Sequence, residues 1–598
     1  MKLYKLSLAL ILGIGTMTSC SDKLDITNPN QQTSGTFGYT ADELEESVIA
    51  CYNHIRMEGT YARVGYNIDV MRGDEAWNAS QVWYMPFDDL TEPITDEIGQ
   101  WSWRDWYYTI NVCNFVLSRA TGDDLSDRMK QIRGQALFIR GLAYYNLAGY
   151  YQNPTLITDY NQYSSLSGLY AANVEEGDQD GFAQYDRVLD QVEQDFAEAM
   201  TLLPSRNVGG EWAKGRATCG SAAGYYARAL MQRHKYSEAL TVLKAIIAGQ
   251  YGSYKLMANY GDNFREGPAY ENNEESLFEI QFLDYGSQGT DDEWTPVNTS
   301  ANATQGHAIE SNYGPGDCGG WADISASPWL YNLFKAERTI DGSLDPRLYW
   351  TIGTYEPEWE GFEYGNKIYN IKQTDEWTNA NIPVVTNNNY GGLPIAKNTN
   401  LRTGIYEKVV TGLHCGINLR MMRYSDVLLR AAECENELNG PTQQAIDWIN
   451  QVRARAGLRN LNLADFNSKD KLFEQIANVE RPKEFGCEFG RGFDLLRWGF
   501  FYSADRLQQL KEHGAFNFWT KADYEAGTYT YTPKDAVDYN SCSKSSYNSY
   551  VAGHEFLPIF QGTLNDNPNL TGNSANNNTD NSSYFSQKGW TVHPVVNL

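Results

Sequence analysis

Tryptophans in loop-rich stretches, beside carboxylate and amide groups, are the side chains of this 598-residue chain best suited to ligand chemistry. Five of the 16 tryptophans lie in 77–106 and six lie in 294–377. An indole face can stack on the apolar face of a sugar ring, while neighbouring polar groups hydrogen-bond the ring hydroxyls. Because each hydrogen bond nets only about 1 kcal/mol, several groups must converge. A single loop tryptophan is more often a packed aromatic than a ligand contact.

Adjacent carboxylates in the same stretches, at Asp74-Glu75, Asp88-Asp89 and 291–293, suggest glycoside hydrolysis as an alternative. Hydrolysis needs two carboxylates facing each other across the scissile bond, roughly 5–10 Å apart. Neighbouring loop carboxylates are more often solvated, and the chain contains no GxSxG, phosphate-binding-loop or HExxH motif. The seven histidines are scattered and no CxxC pair occurs, so neither a metal site nor a cofactor is predicted. The sequence favours binding without catalysis.

The charge balance excludes some partners. The chain carries 48 basic and 75 acidic residues, a net charge of −27. This balance argues against nucleic acid, whose phosphates demand a basic face, and against polyanionic glycans held by a general basic surface. Four of the nine cysteines, which fall in helical patterns among apolar neighbours, are predicted to be buried: Cys51, Cys113, Cys219 and Cys434. A disulfide cannot be assigned from their spacing.

Helices must position these loops, because apolar residues recur at spacings of three and four through much of the chain. In the first half the pattern predicts helices at 41–57, 101–119, 126–151, 185–204, 217–231 and 237–249. Gly134, Gly141 and Ala148 are small enough for close helix contact. The stretch 58–100 reads as an aromatic loop, although Trp101, Trp103 and Trp106 at the start of the next helix are expected in the core. Residues 252–415 lose the helical period and predict an irregular, packed subdomain.

The C-terminal third predicts a helical hairpin followed by a third helix. The first helix carries an apolar stripe that runs from Met421 through Tyr424 and Leu428 to Leu438, and Pro441 can open the second helix. Asn467 or Ser468 can cap the third helix. Pro482 is expected to end or kink it, because proline removes a helical hydrogen bond.

Four segments of this region occur in a fixed order that resembles the SusD/RagB-like family of surface lipoproteins, which serve outer-membrane nutrient transporters. They read Arg-Tyr-Ser-Asp-Val-Leu-Leu at 423–429, Ile-Asn-Gln-Val-Arg-Ala-Arg-Ala-Gly-Leu at 449–458, Glu-Arg-Pro-Lys-Glu-Phe at 480–485 and Phe-Asp-Leu-Leu-Arg-Trp-Gly at 493–499. Pro482 stands where the family usually has Arg. The resemblance implies a mostly α fold, in which a degenerate tetratricopeptide-like helix-pair scaffold carries a large irregular loop-rich subdomain.

The predicted organisation divides the chain into four parts. Residues 1–19 are a signal peptide, 20–251 an N-terminal helical region, 252–415 the irregular ligand-binding region, and 416–598 a C-terminal helical region with its tail. Met17-Thr18-Ser19-Cys20 resembles a lipoprotein cleavage box, which predicts a lipid on Cys20 and a surface-exposed outer-membrane location. The alternative is ordinary secretion with cleavage nearby.

The resemblance also implies a ligand and a site. Family members build a glycan site from loops of the two tryptophan-rich regions, which carries the glycan-binding role to Asp74, Trp77, Asn78, Trp83, Tyr84, Trp294 and Trp321. The implied function is capture of oligo- or polysaccharide and its delivery to a SusC/RagA-like TonB-dependent transporter. Three alternatives stay open: a non-glycan cargo such as peptide, a structural lid or scaffold for the transporter, and an enzyme.

Overall fold

The computed structural model describes residues 37–164, 170–178, 181–206, 212, 214–283, 306–314, 320–353, 393–400, 414–516 and 544–598. Cys20, the 1–19 segment, the 291–293 carboxylates and Trp294 lie outside these ranges. In the first half, the helices are α1 (Ala41–His54), α2 (Val64–Arg72), α3 (Met85–Asp89), α4 (Glu97–Arg119), α5 (Asp127–Tyr151), α6 (Ala183–Leu202), α7 (Cys219–Gln232) and α8 (Tyr236–Ile247).

Shorter helices alternate with short strands in the second half. The helices are α9 (Ile309–Tyr313), α10 (Pro328–Lys335), α11 (Pro346–Thr351), α12 (Tyr424–Asn439), α13 (Gln443–Arg455), α14 (Lys469–Gln475), α15 (Arg481–Phe485), α16 (Arg491–Arg497), α17 (Ala504–Gly514), α18 (Gln561–Asp566), α19 (Ser574–Asn577) and α20 (Ser582–Lys588). The strands are β1 (Ala76–Asn78), β2 (Ser276–Ile280), β3 (Ile324–Ala326), β4 (Leu393–Pro394), β5 (Leu419–Arg423), β6 (Ala515–Phe516) and β7 (Lys544–Ser545).

Successive helix pairs stack into one scaffold. Helix α1 packs on α4, α4 on α5, α5 on α6, and the stack continues through α7 and α8 to α12 and α13. Stacking buries the apolar stripe that no single pair can bury alone. Gly141 allows a close approach, since an added Cβ would lie 3.0 Å from a ring carbon of Phe196. The predicted mostly α, tetratricopeptide-like fold is confirmed, and the predicted helices agree with the observed ones to within a few residues at each end.

Polar caps fix where these helices begin. Thr40 forms a capping box with Glu43 at the start of α1, and Ser126 caps α5. Ser468 caps α14, as predicted. Pro441 does not open α13, because Thr442 is its N-cap and accepts from the Ala445 backbone amide.

The predictions for one stretch and two side chains are wrong as well. The stretch 58–100 is not simply a loop, because it contains α2. Every residue of α2 is buried, including Asn67, Asp69 and Arg72, so its polar residues do not mark a face towards solvent. Met421 lies in β5, since a short buried apolar run cannot be told from a helix by periodicity alone. Leu438, expected on the buried stripe, is 46% exposed at the end of α12.

The chain remains helical through Pro482. A π-type turn at Ile476–Glu480 separates α14 from α15, and the backbone keeps right-handed helical dihedrals at Glu480 and Arg481. Pro482 occupies the first turn of α15, where its missing N–H leaves no hydrogen bond unmade. The widened turn therefore replaces the predicted end or kink.

The four cysteines predicted to be buried are buried free thiols. Within the described ranges, no helix combines the length and apolar character that a membrane span requires.

Glu484 in α15 joins distant elements through buried ion pairs. Its carboxylate pairs with Arg423 of β5, with Arg455 of α13 and with Arg347 of α11, and none of these side chains is more than 4% exposed. Burial alone would raise the pKa of Glu484, but Arg455, Arg423 and Arg347 outweigh it and hold the pKa well below its usual range. The charged carboxylate therefore stabilises the folded state above its ordinary pKa, and this stabilisation is lost as pH falls through the lowered value.

We expect Glu484→Gln to lower the free energy of unfolding by about 3–5 kcal/mol at pH 7, because it leaves buried arginines without their shared charge. Glu46→Gln, at an exposed position of α1, is the matched control and should change stability by less than about 0.5 kcal/mol. Urea unfolding measures both. The difference between wild type and Glu484→Gln should shrink as pH falls below 4.5, the ordinary pKa of the group. Equal stability of the two variants at pH 7 would contradict this role.

Candidate functional site

The pairing of β1 with β3 brings two aromatic loops together. The strands are antiparallel, with Asn78 opposite Ile324. In an antiparallel pair, the residues that follow one strand and the residues that precede the other lie at the same end of the pair. Trp83 follows β1 and Trp321 precedes β3, so residues 238 positions apart in the sequence lie on two loops that meet in space.

Arg63 lies against both tryptophans. Its guanidinium carbon is 4.8 Å from the ring centroid of Trp83 and 4.9 Å from that of Trp321. A planar guanidinium stacks well on an indole face. Because it is weakly hydrated, burying it costs less free energy than burying an ammonium group, provided that it is paired. The pairing is present: Arg63 Nη1 donates to Glu58 Oε1 at 2.7 Å, and both side chains are buried. One buried cation therefore supports both indoles, which are themselves half-buried.

Asp323 ties the two loops to each other. Its Oδ1 accepts from the Ser80 hydroxyl at 3.1 Å, and its Oδ2 accepts from Asn312 Nδ2 at 2.6 Å. Its backbone carbonyl accepts from the Ala79 amide at 2.7 Å. Burial raises the pKa of Asp323, while the hydrogen bonds from Asn312 and Ser80 oppose that rise. Loops held in this way are ordered before a ligand arrives, which lowers the entropic cost of binding.

Tyr84 and Asn78 are buried supports in this structure. The Tyr84 ring lies 4.0 Å from that of Trp83, and its hydroxyl accepts from Asn67 Nδ2 at 3.2 Å. Burial raises the pKa of Tyr84 above its ordinary value. Asn78 accepts from the Gln81 backbone amide through its side-chain oxygen, at 3.2 Å. Both side chains hold the loop that presents Trp83.

Trp77 and Asp74 face inward. Trp77 is 5% exposed and packs edge-on against Phe516, with 5.1 Å between ring centroids. Asp74 is buried and accepts from Arg491 Nε at 2.6 Å and Nη2 at 2.9 Å, and it lies 2.7 Å from His513 Nδ1. Burial would raise the pKa of Asp74, but Arg491 and His513 outweigh it and lower the pKa. The carboxylate thus anchors the segment that leads into β1.

Of the seven predicted glycan contacts, the structure brings Trp83 and Trp321 together with part of each ring exposed. Asp74, Trp77, Asn78 and Tyr84 surround or support this pair and have little surface to offer a ligand. Trp294 lies outside the described residues. Sequence reasoning missed Arg63 and Asp323, since nothing in the local pattern of either residue distinguishes it from a surface charge.

The carboxylates around this site are already engaged. Glu58 pairs with Arg63, and Asp323 accepts from Ser80 and Asn312. Asp88 accepts from the Asn78 amide and from Ser546, and it pairs with Lys544. In the part of the chain that the structure describes, no group of three histidine, cysteine, aspartate or glutamate side chains is placed to hold a metal ion. The arrangement suits recognition by ring stacking and hydrogen bonding.

Fold and site together define a stacked helix-pair scaffold that presents a rigid pair of tryptophans on two adjoining loops. The chain belongs to the SusD family, whose model matches residues 274–577, just over half of the chain. A second family model, described as starch-binding and associating with the outer membrane, matches residues 24–231.

Individual relatives agree with this assignment. SusD-like protein P25 of Formosa agariphila is 25% identical over 515 residues, which cover 81% of this chain and 87% of the relative. A solved SusD superfamily protein from Bacteroides vulgatus has a TM-score of 0.64 at 21% identity, covering 90% of this chain and 100% of that one. A solved laminarin-binding SusD-like protein has a TM-score of 0.60 at 20% identity, covering 89% of this chain and 98% of that one. At these identities the solved structures establish the fold.

We expect Arg63→Lys to lower the free energy of unfolding by about 1–2 kcal/mol, because lysine keeps the charge beside Glu58 but loses the planar stack on two indoles. The near-ultraviolet circular dichroism of the tryptophans should change as well. Arg128→Lys is the control, since Arg128 pairs with Asp42 at the exposed surface and should respond little. Unchanged stability and an unchanged tryptophan signal in Arg63→Lys would show that the cation does not order the two rings.

Proposed function

We propose that this protein captures carbohydrate at the bacterial surface through Trp83 and Trp321, and passes it to a SusC-like TonB-dependent transporter without breaking a glycosidic bond. The observation that carries the proposal is the pair of half-buried indoles on one buried arginine, a rigid platform for sugar rings. The starch-binding description of one matching family model and the laminarin-binding relative support a glycan cargo.

The outer-membrane description of the same family model supports a location at that membrane. We propose that a lipid on Cys20 provides the anchor, and that residues from Ser21 onwards tether the folded part to it. In this account Asp74, Trp77, Asn78 and Tyr84 position the platform, while Trp294 stays a predicted ligand contact.

The side chains next to Trp83 suit a surface that meets other molecules. Val82 is 74% exposed and Met85 is 45% exposed, so the loop presents apolar groups around the indole. A sugar ring covering Trp83 would also contact these groups, since the C–H face of a pyranose is apolar. The same groups would serve a docking surface in the alternative in which the protein is only a lid for the transporter.

The test is a binding screen with laminarin, amylose, xylan and polygalacturonate, by affinity electrophoresis and then calorimetry, on protein that begins after Cys20. We expect at least one polymer to be retained, with no new reducing ends after prolonged incubation. Trp83→Ala and Trp321→Ala should each weaken its binding roughly tenfold to a hundredfold, because each removes about 1.5–3 kcal/mol of buried ring contact.

Two variants serve as controls. Trp83→Phe keeps a flat ring and should retain more affinity than Trp83→Ala. Tyr39→Ala, which removes an aromatic that is 63% exposed at the start of α1, should bind as wild type does. Retention of a polymer with undiminished affinity by both alanine variants would contradict the site. Release of reducing ends would favour an enzyme, and retention of peptides but no polymer would favour a non-glycan cargo.

A further inference from the structure

A cleft of about 640 Å³ lies beside the first turns of α4. Its walls come from the first turns of α4, from residues 155–157, from residues 170–171, and from the segment between Thr563 and Leu570. None of its lining residues belongs to the Trp83–Trp321 site. The volume falls within the range of pockets that hold small molecules.

The apolar part of this cleft is aromatic. Its rings come from Trp101, Trp103, Tyr107, Tyr108 and Tyr170. The prediction of three core tryptophans at the start of α4 holds for Trp106 and Trp103, but Trp101 is half-buried and lines the cleft. Tyr108 and Tyr170 are each 40% exposed. A groove for an amphipathic helix would offer aliphatic anchors, and here the aliphatic residues are few. Ring faces are what a pyranose stacks on.

Three polar side chains of the cleft have no protein partner. Glu97, Gln100 and Asp566 line it, and none of these side chains makes a hydrogen bond or ion pair with any residue that the structure describes. Arg104 donates through Nε to Asp105 at 3.0 Å, while its buried Nη2 has no hydrogen-bond partner among the described residues. A buried donor left without a partner costs roughly 1–3 kcal/mol.

Hydrogen bonds between residues of different walls hold the cleft in place. The Tyr107 hydroxyl donates to the Thr155 carbonyl at 2.7 Å. Asn567 Nδ2 donates to the Ala171 carbonyl at 2.9 Å, and Asn569 Nδ2 donates to the Tyr170 carbonyl at 2.7 Å. These bonds join the C-terminal segment to the 170–171 wall. The cleft is therefore preformed, and a ligand would not have to order it.

The charges at the rim select against anions. The cationic Arg104 is already matched by the fully buried Asp105, whereas Glu97 and Asp566 are exposed carboxylates with no cation beside them. The chain as a whole carries −27. A polyuronide would meet repulsion from both sources, while the hydroxyls of a neutral sugar can donate to free carboxylates.

We propose that this cleft is a second carbohydrate-binding site, which takes a short segment of a neutral glycan independently of Trp83 and Trp321. The inference rests on the proposed function for the class of ligand. Aromatic rings would stack on the sugar, Gln100 and Arg104 would donate to its oxygens, and Glu97 and Asp566 would accept from its hydroxyls. With two sites, a polymer long enough to reach both gains avidity that a short oligosaccharide cannot have.

The experiment uses the four polymers of the screen and compares three proteins with wild type. The first carries Trp83→Ala and Trp321→Ala, the second carries Tyr108→Ala and Tyr170→Ala, and the third carries all four changes. Both tyrosines are exposed, so their truncation should leave stability within about 0.5 kcal/mol of wild type, which thermal unfolding checks. Tyr39→Ala is the matched control for loss of an exposed tyrosine.

We expect the double-tryptophan variant to keep weakened retention by a neutral polymer, and the fourfold variant to lose at least nine-tenths of that residual affinity. The double-tyrosine variant should keep its affinity for a hexasaccharide at the first site. The double-tryptophan variant should not retain polygalacturonate, because the carboxylates of the cleft repel it.

Three results would overturn the inference. If the tyrosine changes leave the residual retention of the double-tryptophan variant unchanged, or if that variant retains no polymer while wild type does, the cleft is not a glycan site and the proposed function stands. If wild type retains none of the four polymers, the inference fails together with the proposed function.

Discussion

Buried charge is the constraint on which this structure depends. Arg423, Arg347 and Arg455 are withdrawn from water and must be matched, and Glu484 accepts from all three at the point where β5, α11, α13 and α15 meet. The Glu484 carbonyl adds acceptance from Arg423, from Lys397 and from the Tyr260 hydroxyl. Burying any of these charged groups without a partner would be costly, so their pairing constrains how the C-terminal helices and the irregular region pack.

Buried polar contacts also connect the scaffold to the candidate site. Arg491 of α16 pairs with Asp74 just before β1. Beyond it, β1 pairs with β3, and the register of that pairing sets where the two aromatic loops leave the sheet. Arg63 and Asp323 then fix the indoles and the loop backbones. Each step in this chain is a buried polar group with a defined partner, so the site inherits its rigidity from helices far away in sequence.

Sequence patterns suffice for the scaffold, because apolar residues in an amphipathic helix recur at spacings of three and four. This spacing predicts α1, α4 to α8, α12 and α13. Where an element is buried on every side, its polar residues no longer mark a face towards solvent, and a short apolar run fits a strand as well as a helix. The sequence therefore predicts a loop over α2 and a helix at Met421. The family resemblance singles out Trp83 and Trp321 together with Asp74, Trp77, Asn78 and Tyr84. The sequence alone could not show that the last four face inward. That distinction depends on contacts with Arg491, His513 and Phe516, which lie far away in the sequence and come close only in the folded chain. Trp101 was assigned to the core because a helical stripe does not reveal a neighbouring cleft.

A crystal structure with a bound oligosaccharide of the retained polymer would show whether Trp83 and Trp321 together form the platform for a sugar ring. We expect a pyranose ring in van der Waals contact with at least one of the two indoles, with Arg63 still between Glu58 and the rings. An oligosaccharide bound in the crystal with neither indole in contact, at a site whose disruption abolishes binding in solution, would contradict it.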